Sequence, residues 1–163
     1  LAIRAFALFS ESHPEYTFAV YGDALYEEGL GVERECKKLI SELNLADKVC
    51  LLPFTADIHR EIIGDCMYIN SSDFEGISNA MLEAMAIGLP VVCTDCPAYG
   101  ARSVIRNREN GIIVPMNDPG SLSRAMAEIA DDPEFAESLS KKACSLRDKL
   151  SVERITSEWL ELL

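Results

Sequence analysis

The chain has 163 residues, of which 48% are hydrophobic, and a formal net charge of −12 at pH 7. A chain of this size and composition buries about two-thirds of its unfolded surface as one domain, so it does not need disulfides or metal to fold. The negative charge argues against binding to nucleic acid or to anionic lipid headgroups by bulk charge, because both partners are polyanions. No apolar run approaches the roughly 18 residues of a membrane span, and no signal-peptide pattern is present.

The first half of the chain alternates between helical and strand patterns. Pro14 ends the opening helix, and Pro53 closes the second strand. The expected elements are a helix over 1–12, a strand over 17–21, a loop over 29–31, a helix over 33–43, a strand over 49–52, a short helix over 56–63 and a strand over 66–70. A start inside a helix, with no initiator Met and no leading strand, suggests a piece of a longer protein.

The segment 71–90 contains the most informative pattern. From residue 77 to residue 87, eight of eleven residues are apolar, which predicts a core helix covered on most sides. Ser78 is the expected N-cap, and Gly88 followed by Pro90 is the expected stop.

Two polar residues interrupt this apolar helix. Asn79 and Glu83 are four residues apart and therefore lie on one face, and Glu75 precedes them in the loop. Burial of an unpaired charge is costly, so Glu83 either pairs with an Arg or a backbone donor, or faces a cleft. The order strand, polar loop, helix favours the cleft, because ligands of open α/β sheets bind at the carboxyl ends of strands. The N–H groups and positive dipole of the helix start suit a phosphate.

The second half continues the alternation, which predicts an α/β fold: a Rossmann-like, doubly wound parallel sheet with helices on both faces. The pairs Asp118-Pro119 and Asp132-Pro133 each place an N-cap Asp before a Pro at the first helical position. The expected elements are a strand over 91–94, a short helix ending at 105, a strand over 112–114, helices ending at 130 and near 150, and a terminal helix over 151–163. We expect Trp159 in that last helix to pack on the domain; the alternative is that the helix reaches toward a second domain.

The six cysteines are dispersed, with one Cys-x-x-Cys pair at Cys93 and Cys96. Structural zinc needs four ligands, and no second Cys or His pair stands at ligand spacing, so we expect no metal site. Cys93 ends an apolar strand and is expected to act as a small hydrophobe. Dispersed free thiols favour the reduced cytoplasm.

Several motifs in order resemble retaining glycosyltransferases of the GT-B fold, of the glycosyl transferases group 1 type. The resemblance rests on the Glu-x7-Glu spacing of Glu75 and Glu83, with Gly76 and Asn79 between them, on the run 82–95 and on Asn110 to Pro115. It covers nearly the whole chain and implies the C-terminal, donor-binding domain of such an enzyme. Residues 1–163 would then be a single nucleotide-sugar-binding domain that lacks its first strand and the N-terminal acceptor domain.

The resemblance also assigns roles. It places Glu83 at the ribose diol, which a carboxylate matches with two acceptor oxygens, and it makes Glu75 the catalytic residue, at the hydroxyls of the donor sugar. Independently of the resemblance, the backbone N–H groups of Gly76, Ile77, Ser78 and Asn79 at the helix start are expected to contribute to binding the diphosphate. The implied partners are a nucleoside-diphosphate sugar and a glycan or lipid-linked acceptor in polysaccharide biosynthesis. No cofactor or metal is implied, and the full-length protein would be cytoplasmic or peripheral at the inner face of the membrane.

The missing first strand has two expected consequences. In a doubly wound order it is central, so its absence should leave a rearranged or a gapped sheet. It also carries an Arg and a Lys that face the diphosphate in these enzymes. The diphosphate and the Glu75 carboxylate, as two negative charges about 7 Å apart, would repel by roughly 2.4 kcal/mol at an effective dielectric of about 20. A helix N-terminus stabilises a negative charge by only about 0.3–1 kcal/mol, so it cannot offset this repulsion alone. Arg102, Arg106 and Arg108 are the nearest cations in sequence and are expected to be solvated surface, so we predict weak or no turnover by this chain.

Some positions depart from the pattern. Ala24 stands where a second Gly often follows the first strand, Tyr99 stands at a position that could narrow the donor pocket, and Phe54 is expected to fill the core. His13 and His59 have no catalytic context. The alternatives are a non-catalytic nucleotide-sugar-binding domain, a nucleotide-sugar epimerase of related fold, or a signalling domain with Asp23 as its acidic residue.

Overall fold

The computed structural model describes residues 1–24, 27–98 and 100–162, so Tyr99 lies outside the described residues. The helices are α1 (Ala2–Ser12), α2 (Glu27–Glu42), α3 (Ile58–Ile62), α4 (Asn79–Ile87), α5 (Gly100–Val104), α6 (Pro119–Asp131), α7 (Pro133–Cys144), α8 (Leu146–Lys149) and α9 (Val152–Leu160). The strands are β1 (Phe18–Tyr21), β2 (Val49–Leu52), β3 (Tyr68–Asn70), β4 (Val91–Thr94) and β5 (Ile112–Val114).

The described strands form two separate parallel sheets. One pairs β1 with β2, and the other has the order β3-β4-β5. Helices cover both faces, which confirms the predicted Rossmann-like α/β fold. Of the two outcomes expected for the sheet, the gapped one is observed, since β1 and β3 do not pair.

Each face of the sheets has its own apolar core. The first lies against α1, α2 and α6, and Phe6, Phe9 and Leu122 are its largest fully buried side chains from those helices. The second lies against α3, α4, α5 and α7. Successive residues of β4 alternate between the two cores, because Val92 lies in the first and Val91 and Cys93 lie in the second. Burial raises the pKa of the Cys93 thiol to about 12, so it is the inert small hydrophobe that was expected.

Local signals define the helix ends as predicted. The Ser78 hydroxyl accepts a hydrogen bond from the Met81 N–H, and Gly88 adopts the left-handed conformation at φ 88° that ends α4. The carboxylates of Asp118 and Asp132 cap α6 and α7 in the same way.

Two expectations from the pattern are wrong. Helix α2 runs through Gly29 and Gly31, where a loop was expected. Glycine costs about 1 kcal/mol in a helix interior, and packing of Leu39 and Ile40 on the first core offsets that cost. Trp159 does not pack on the domain, since it is 67% exposed. Val152 and Leu162, on the same side of this terminal segment, are exposed as well.

His13 joins the end of α1 to the end of α6. Its ring stacks on Phe9 at 4.3 Å between centroids and an angle of 6°, and its Nε2 lies 3.0 Å from Asp131 Oδ1. The hydrogen bond to Asp131 is the largest cause that raises the pKa of His13 above its ordinary value of 6.5. The pair therefore holds the two helix ends together most strongly when His13 is charged.

This contact predicts a pH dependence of stability. Because the folded-state pKa is raised, the pair contributes fully below the unfolded value of 6.5 and is lost as the pH rises through the folded-state pKa. Thermal unfolding followed from about pH 5.5 to about pH 8.5 should show this loss, and Asp131→Asn should flatten it. Glu35→Gln, an exposed change on α2, should keep the wild-type profile. If the melting temperatures of Asp131→Asn and the wild type changed equally with pH, the His13–Asp131 pair would not be the cause of the pH dependence.

Candidate functional site

The candidate site lies at the carboxyl ends of β3 and β4, in the loop that joins β3 to α4. Side chains from both strands hold this loop. The Thr94 hydroxyl donates to the Ser72 carbonyl at 2.6 Å, and Asn70 Oδ1 accepts from the Ser72 N–H and hydroxyl at 3.2 and 2.8 Å. These bonds fix the loop at the open edge of the sheet, where ligands of such folds bind.

Glu75 is half-buried in this loop. Its Oε2 lies 3.1 Å from the Ser72 hydroxyl, and its backbone carbonyl accepts from the Cys96 thiol at 3.4 Å. The Ser72 hydroxyl has one proton, which it shares between Asn70 and Glu75. Among the described residues no cation lies within ion-pair distance of the Glu75 carboxylate, so its oxygens keep capacity to accept hydrogen bonds from a ligand.

Glu83 faces α3, where its Oε2 lies 3.8 Å from His59 Nε2. The Glu83 and His59 side chains are 45% and 51% exposed, so neither is locked under packed side chains. Helix α3 thus brings His59 next to Glu83, a contact that the sequence did not predict. Sequence could not show this, since the two residues are on different helices.

The start of α4 presents backbone donors beside these carboxylates. Asn79 and Ala80 are exposed, and as the first residues of the helix they have no intrahelical carbonyl for their N–H groups. Burial is the largest cause that raises the pKa of Tyr68 to about 12; the charges of Cys93, Glu75 and Glu83 also raise it, and a hydrogen bond with Ser78 opposes the rise. Both carboxylates thus act on the same half-buried phenol. Gly76 and Ile77 are exposed on the same loop.

The helix α4 is less covered than the pattern predicted. Only Met81, Ala84 and Met85 are buried, and Ile77 precedes the helix and is 53% exposed. The polar stripe of Asn79 and Glu83 remains accessible, because α3 covers the helix only in part. The apolar composition of the segment gave no indication of this exposure.

A close approach of two glycines supports the loop. A Cβ on Gly100 would lie 1.6 Å from the Gly76 carbonyl oxygen and 2.8 Å from the Ile77 backbone nitrogen. No sequence pattern assigned Gly100 a role. The one indication in the sequence was a glycine at the start of a helix, because glycine often occurs where two backbone segments approach closely.

The three arginines that are nearest in sequence each pair with a carboxylate. Arg102 binds Asp95 with Nε 2.5 Å from Oδ1, and this contact lowers the pKa of Asp95. Arg108 pairs with Glu128, and Arg106 Nη1 lies 3.8 Å from Glu109 Oε2. Both of these precede the parallel strand β5 and therefore lie at the amino end of the sheet, away from the β3–α4 loop.

A cavity of about 560 Å³ lies elsewhere, between β1 and β3, and neither Glu75 nor Glu83 lines it. The candidate site is instead an open edge. Phe54 and Phe74 are also at this edge, 69% and 78% exposed. The expectation that Phe54 fills the core is wrong, because Pro53 ends β2 at the open side of a sheet of only two strands.

Within the described ranges, no cluster of three His, Cys, Asp or Glu residues is arranged to hold a metal ion. None of the described helices is both long and apolar enough to cross a membrane.

The parallel sheets, the helices on both faces and the polar loop at the carboxyl ends define a Rossmann-like α/β domain. Residues 1–145 match the family of glycosyl transferases group 1. The chain belongs to this family, and its fold is that of the C-terminal domain of GT-B glycosyltransferases.

Similar proteins agree with this assignment. The chain is 28% identical over 163 residues to N-acetylgalactosamine-N,N'-diacetylbacillosaminyl-diphospho-undecaprenol 4-alpha-N-acetylgalactosaminyltransferase of Campylobacter jejuni, covering 98% of this chain and 42% of that protein. Anabaena HepE in complex with UDP has a TM-score of 0.86 at 23% identity, over 99% of this chain and 44% of HepE. A Staphylococcus aureus TarM variant in complex with fondaparinux, alpha-GlcNAc-glycerol and UDP has a TM-score of 0.84 at 25% identity, over 98% of this chain and 31% of that one. The chain thus spans less than half the length of each of these proteins.

Proposed function

We propose that the chain is the donor-binding domain of a glycosyltransferase that transfers a sugar from a nucleoside diphosphate to a glycan or lipid-linked acceptor with retention of configuration. The observation that carries this proposal is the geometry of the β3–α4 edge. It presents two accessible carboxylates and a free helix N-terminus, at the position where this fold binds ligands. The UDP bound by TarM supports a uridine nucleotide as the first candidate.

In this proposal each group meets a different part of the donor. Glu83 accepts hydrogen bonds from the ribose diol, for which its half-exposed carboxylate has two oxygens available. The N–H groups at the start of α4, from Gly76, Ile77, Ser78 and Asn79, face the diphosphate, where the helix dipole favours negative charge. Glu75 lies at the donor-sugar hydroxyls as the catalytic residue.

Two routes to retention remain compatible with Glu75. It could form a covalent glycosyl intermediate, as carboxylates do in retaining glycosidases. Alternatively, it could orient the sugar while the acceptor attacks from the face of the leaving group. The lack of a cation at ion-pair distance from Glu75 among the described residues leaves its charge available for either role.

The whole enzyme would contain more than this chain. We propose that a second, N-terminal domain binds the acceptor, and that the exposed stripe of α9 with Val152, Trp159 and Leu162 contacts it. The full-length protein would act in the cytoplasm, or peripherally at the inner face of the membrane, and would use the donor without a further cofactor. Because Arg102 pairs with Asp95, and Arg106 and Arg108 lie at the amino end of the sheet, we expect the chain alone to bind donor nucleotide weakly and to turn over little or nothing.

Titration of the chain with UDP, GDP and ADP, followed by calorimetry or amide NMR, tests the proposal. Glu83→Ala should weaken binding of the preferred nucleotide about 10–100-fold, since a hydrogen bond to a charged group contributes about 1.5–3 kcal/mol. Glu61→Ala removes an exposed carboxylate from the neighbouring helix α3 and serves as the matched control. Shifts confined to residues outside the β3–α4 loop, or equal binding by both variants, would contradict the assigned ribose role.

Activity assays separate the alternatives. A non-catalytic binding domain would bind nucleotide but remain inactive after the acceptor domain is added. An epimerase would convert a nucleotide sugar without any acceptor.

A further inference from the structure

Helix α3 brings a titratable side chain to the candidate donor site. His59 is on this helix, its Nε2 lies 3.8 Å from Glu83 Oε2, and the two side chains are 51% and 45% exposed. Glu83 is the one charged residue of α4, the helix on which α3 packs. Both groups of this pair are therefore open to a ligand that approaches from solvent.

The length of this contact makes it depend on charge. A hydrogen bond between a ring N–H and a carboxylate oxygen spans about 2.7–3.2 Å, so at 3.8 Å a neutral ring does little to hold Glu83. A protonated ring is attracted to the carboxylate at this distance. Imidazole changes its charge between about pH 5 and pH 8, so the contact should tighten in the lower part of that range.

The other charged residues of α3 and its N-cap interact away from the ring of His59. Arg60 Nη1 lies 4.0 Å from Asp57 Oδ2. Glu61 acts on Tyr21 of β1, whose pKa is raised first by burial and then by that carboxylate. The charges on α3 itself are thus directed to partners other than the ring.

The segments around α3 contribute the titratable groups Asp65, Tyr68 and Glu83. Asp65, which follows α3, also raises the pKa of Tyr21, after burial as the largest cause. Burial raises the pKa of Tyr68 to about 12, so this phenol stays neutral near pH 7. Among the described residues, Glu83 is the carboxylate that lies within ion-pair distance of His59.

We propose that His59 is a positioning residue for the donor nucleotide: its protonated ring holds the Glu83 carboxylate toward the ribose diol and offsets the charge of that carboxylate. This inference rests on the proposed function, from which it takes the ribose role of Glu83. A carboxylate has about four lone-pair positions, so one can face the ring while two accept hydrogen bonds from the diol. Offsetting the charge also lowers repulsion of the diphosphate, at an edge where Arg102 already pairs with Asp95.

The experiment measures binding of UDP-glucose to the chain by amide NMR at about pH 5.5 and about pH 8. The diphosphate of this probe is esterified at both ends, so its charge stays constant in this range, whereas the terminal phosphate of UDP titrates near pH 6. Ordinary carboxylates also keep their charge over this range. The affinity should be about two- to fivefold higher at the lower pH, which is the effect expected of an exposed ion pair.

Matched variants test whether this ring is responsible. His59→Gln should bind weakly at both pH values, whereas His59→Lys should bind tightly at both, because lysine stays charged. Glu83→Gln should also lose the pH dependence, since an amide offers the ring no charge to pair with. His13→Gln should keep the pH dependence, because His13 is the other histidine of the chain and lies before the start of β1, at the opposite edge of the sheets.

The outcomes distinguish this inference from the proposed function. If UDP-glucose binds equally at both pH values, or if His59→Gln or Glu83→Gln keeps the pH dependence, the role of His59 is wrong while the donor site stands. Loss of the pH dependence in His13→Gln would assign it to the other histidine and overturn the role of His59 as well. If UDP-glucose, GDP-glucose and ADP-glucose all fail to bind at either pH, the proposed function is wrong, and the role of His59 with it.

Discussion

Replacing Gly100 by alanine is expected to lower the free energy of unfolding by about 3 kcal/mol, the upper end of the usual range for an overpacked position. The added Cβ would lie 1.6 Å from the Gly76 carbonyl oxygen and 2.1 Å from its carbon. Both are backbone atoms, so no rotamer change relieves the overlap. Either α5 or the loop that carries Glu75 must move. Urea unfolding measures the loss of stability.

The control introduces alanine at the other glycine of this contact, Gly76. A Cβ on Gly76 would meet no atom within 4 Å, so Gly76→Ala should change the free energy of unfolding far less than Gly100→Ala. If nucleotide binding at the candidate site is found, Gly100→Ala should also weaken it, because the displaced loop carries Glu75 and leads into α4. Equal destabilisation by the two substitutions would contradict the steric explanation.

Phe9→Ala is expected to lower the free energy of unfolding by about 3–5 kcal/mol. Phe9 is 1% exposed and packs its ring against Phe6, His13 and Tyr16. It also lines the cavity between β1 and β3, at a place where the first core continues from one sheet to the other. Its truncation should therefore loosen the β1–β2 sheet from the remainder as well as remove buried apolar surface.

The neighbouring Leu8 provides the control for this prediction. It is on the same helix and is 45% exposed, so Leu8→Ala should cost less than about 1 kcal/mol. Urea unfolding of both variants gives the comparison, and hydrogen exchange in β1 and β2 shows whether those strands open first in Phe9→Ala. Similar losses for the two variants would mean that Phe9 does not connect the sheets.

The features of the fold that depend on nearby residues in the chain were predicted correctly. The caps at Ser78, Asp118 and Asp132 and the end of α4 at Gly88 were predicted correctly, because each depends on residues within one turn of the helix. The strands β2, β4 and β5 were placed with correct bounds for a related reason, since short apolar runs between turn residues have few other conformations available.

The candidate site was predicted only in part. Spacing placed Asn79 and Glu83 on one face of α4, which the structure bears out in their shared exposure. The contact of His59 with Glu83 and the approach of Gly100 to Gly76 were missed. Each of these two contacts joins segments that are separated in the chain by another strand or helix. The sequence of one segment does not indicate that the other will lie beside it.

By itself, the sequence determined the alternation of helices and strands, the parallel α/β class and the family, because these follow from periodicity, caps and motif order along the chain. Only the tertiary structure decided which surfaces remained open. It left Trp159 and Phe54 exposed and separated β1 from β3 by an apolar cavity. The hydrophobicity of a side chain indicates that its burial would be favourable, but whether a surface is present to bury it depends on the packing of the whole chain.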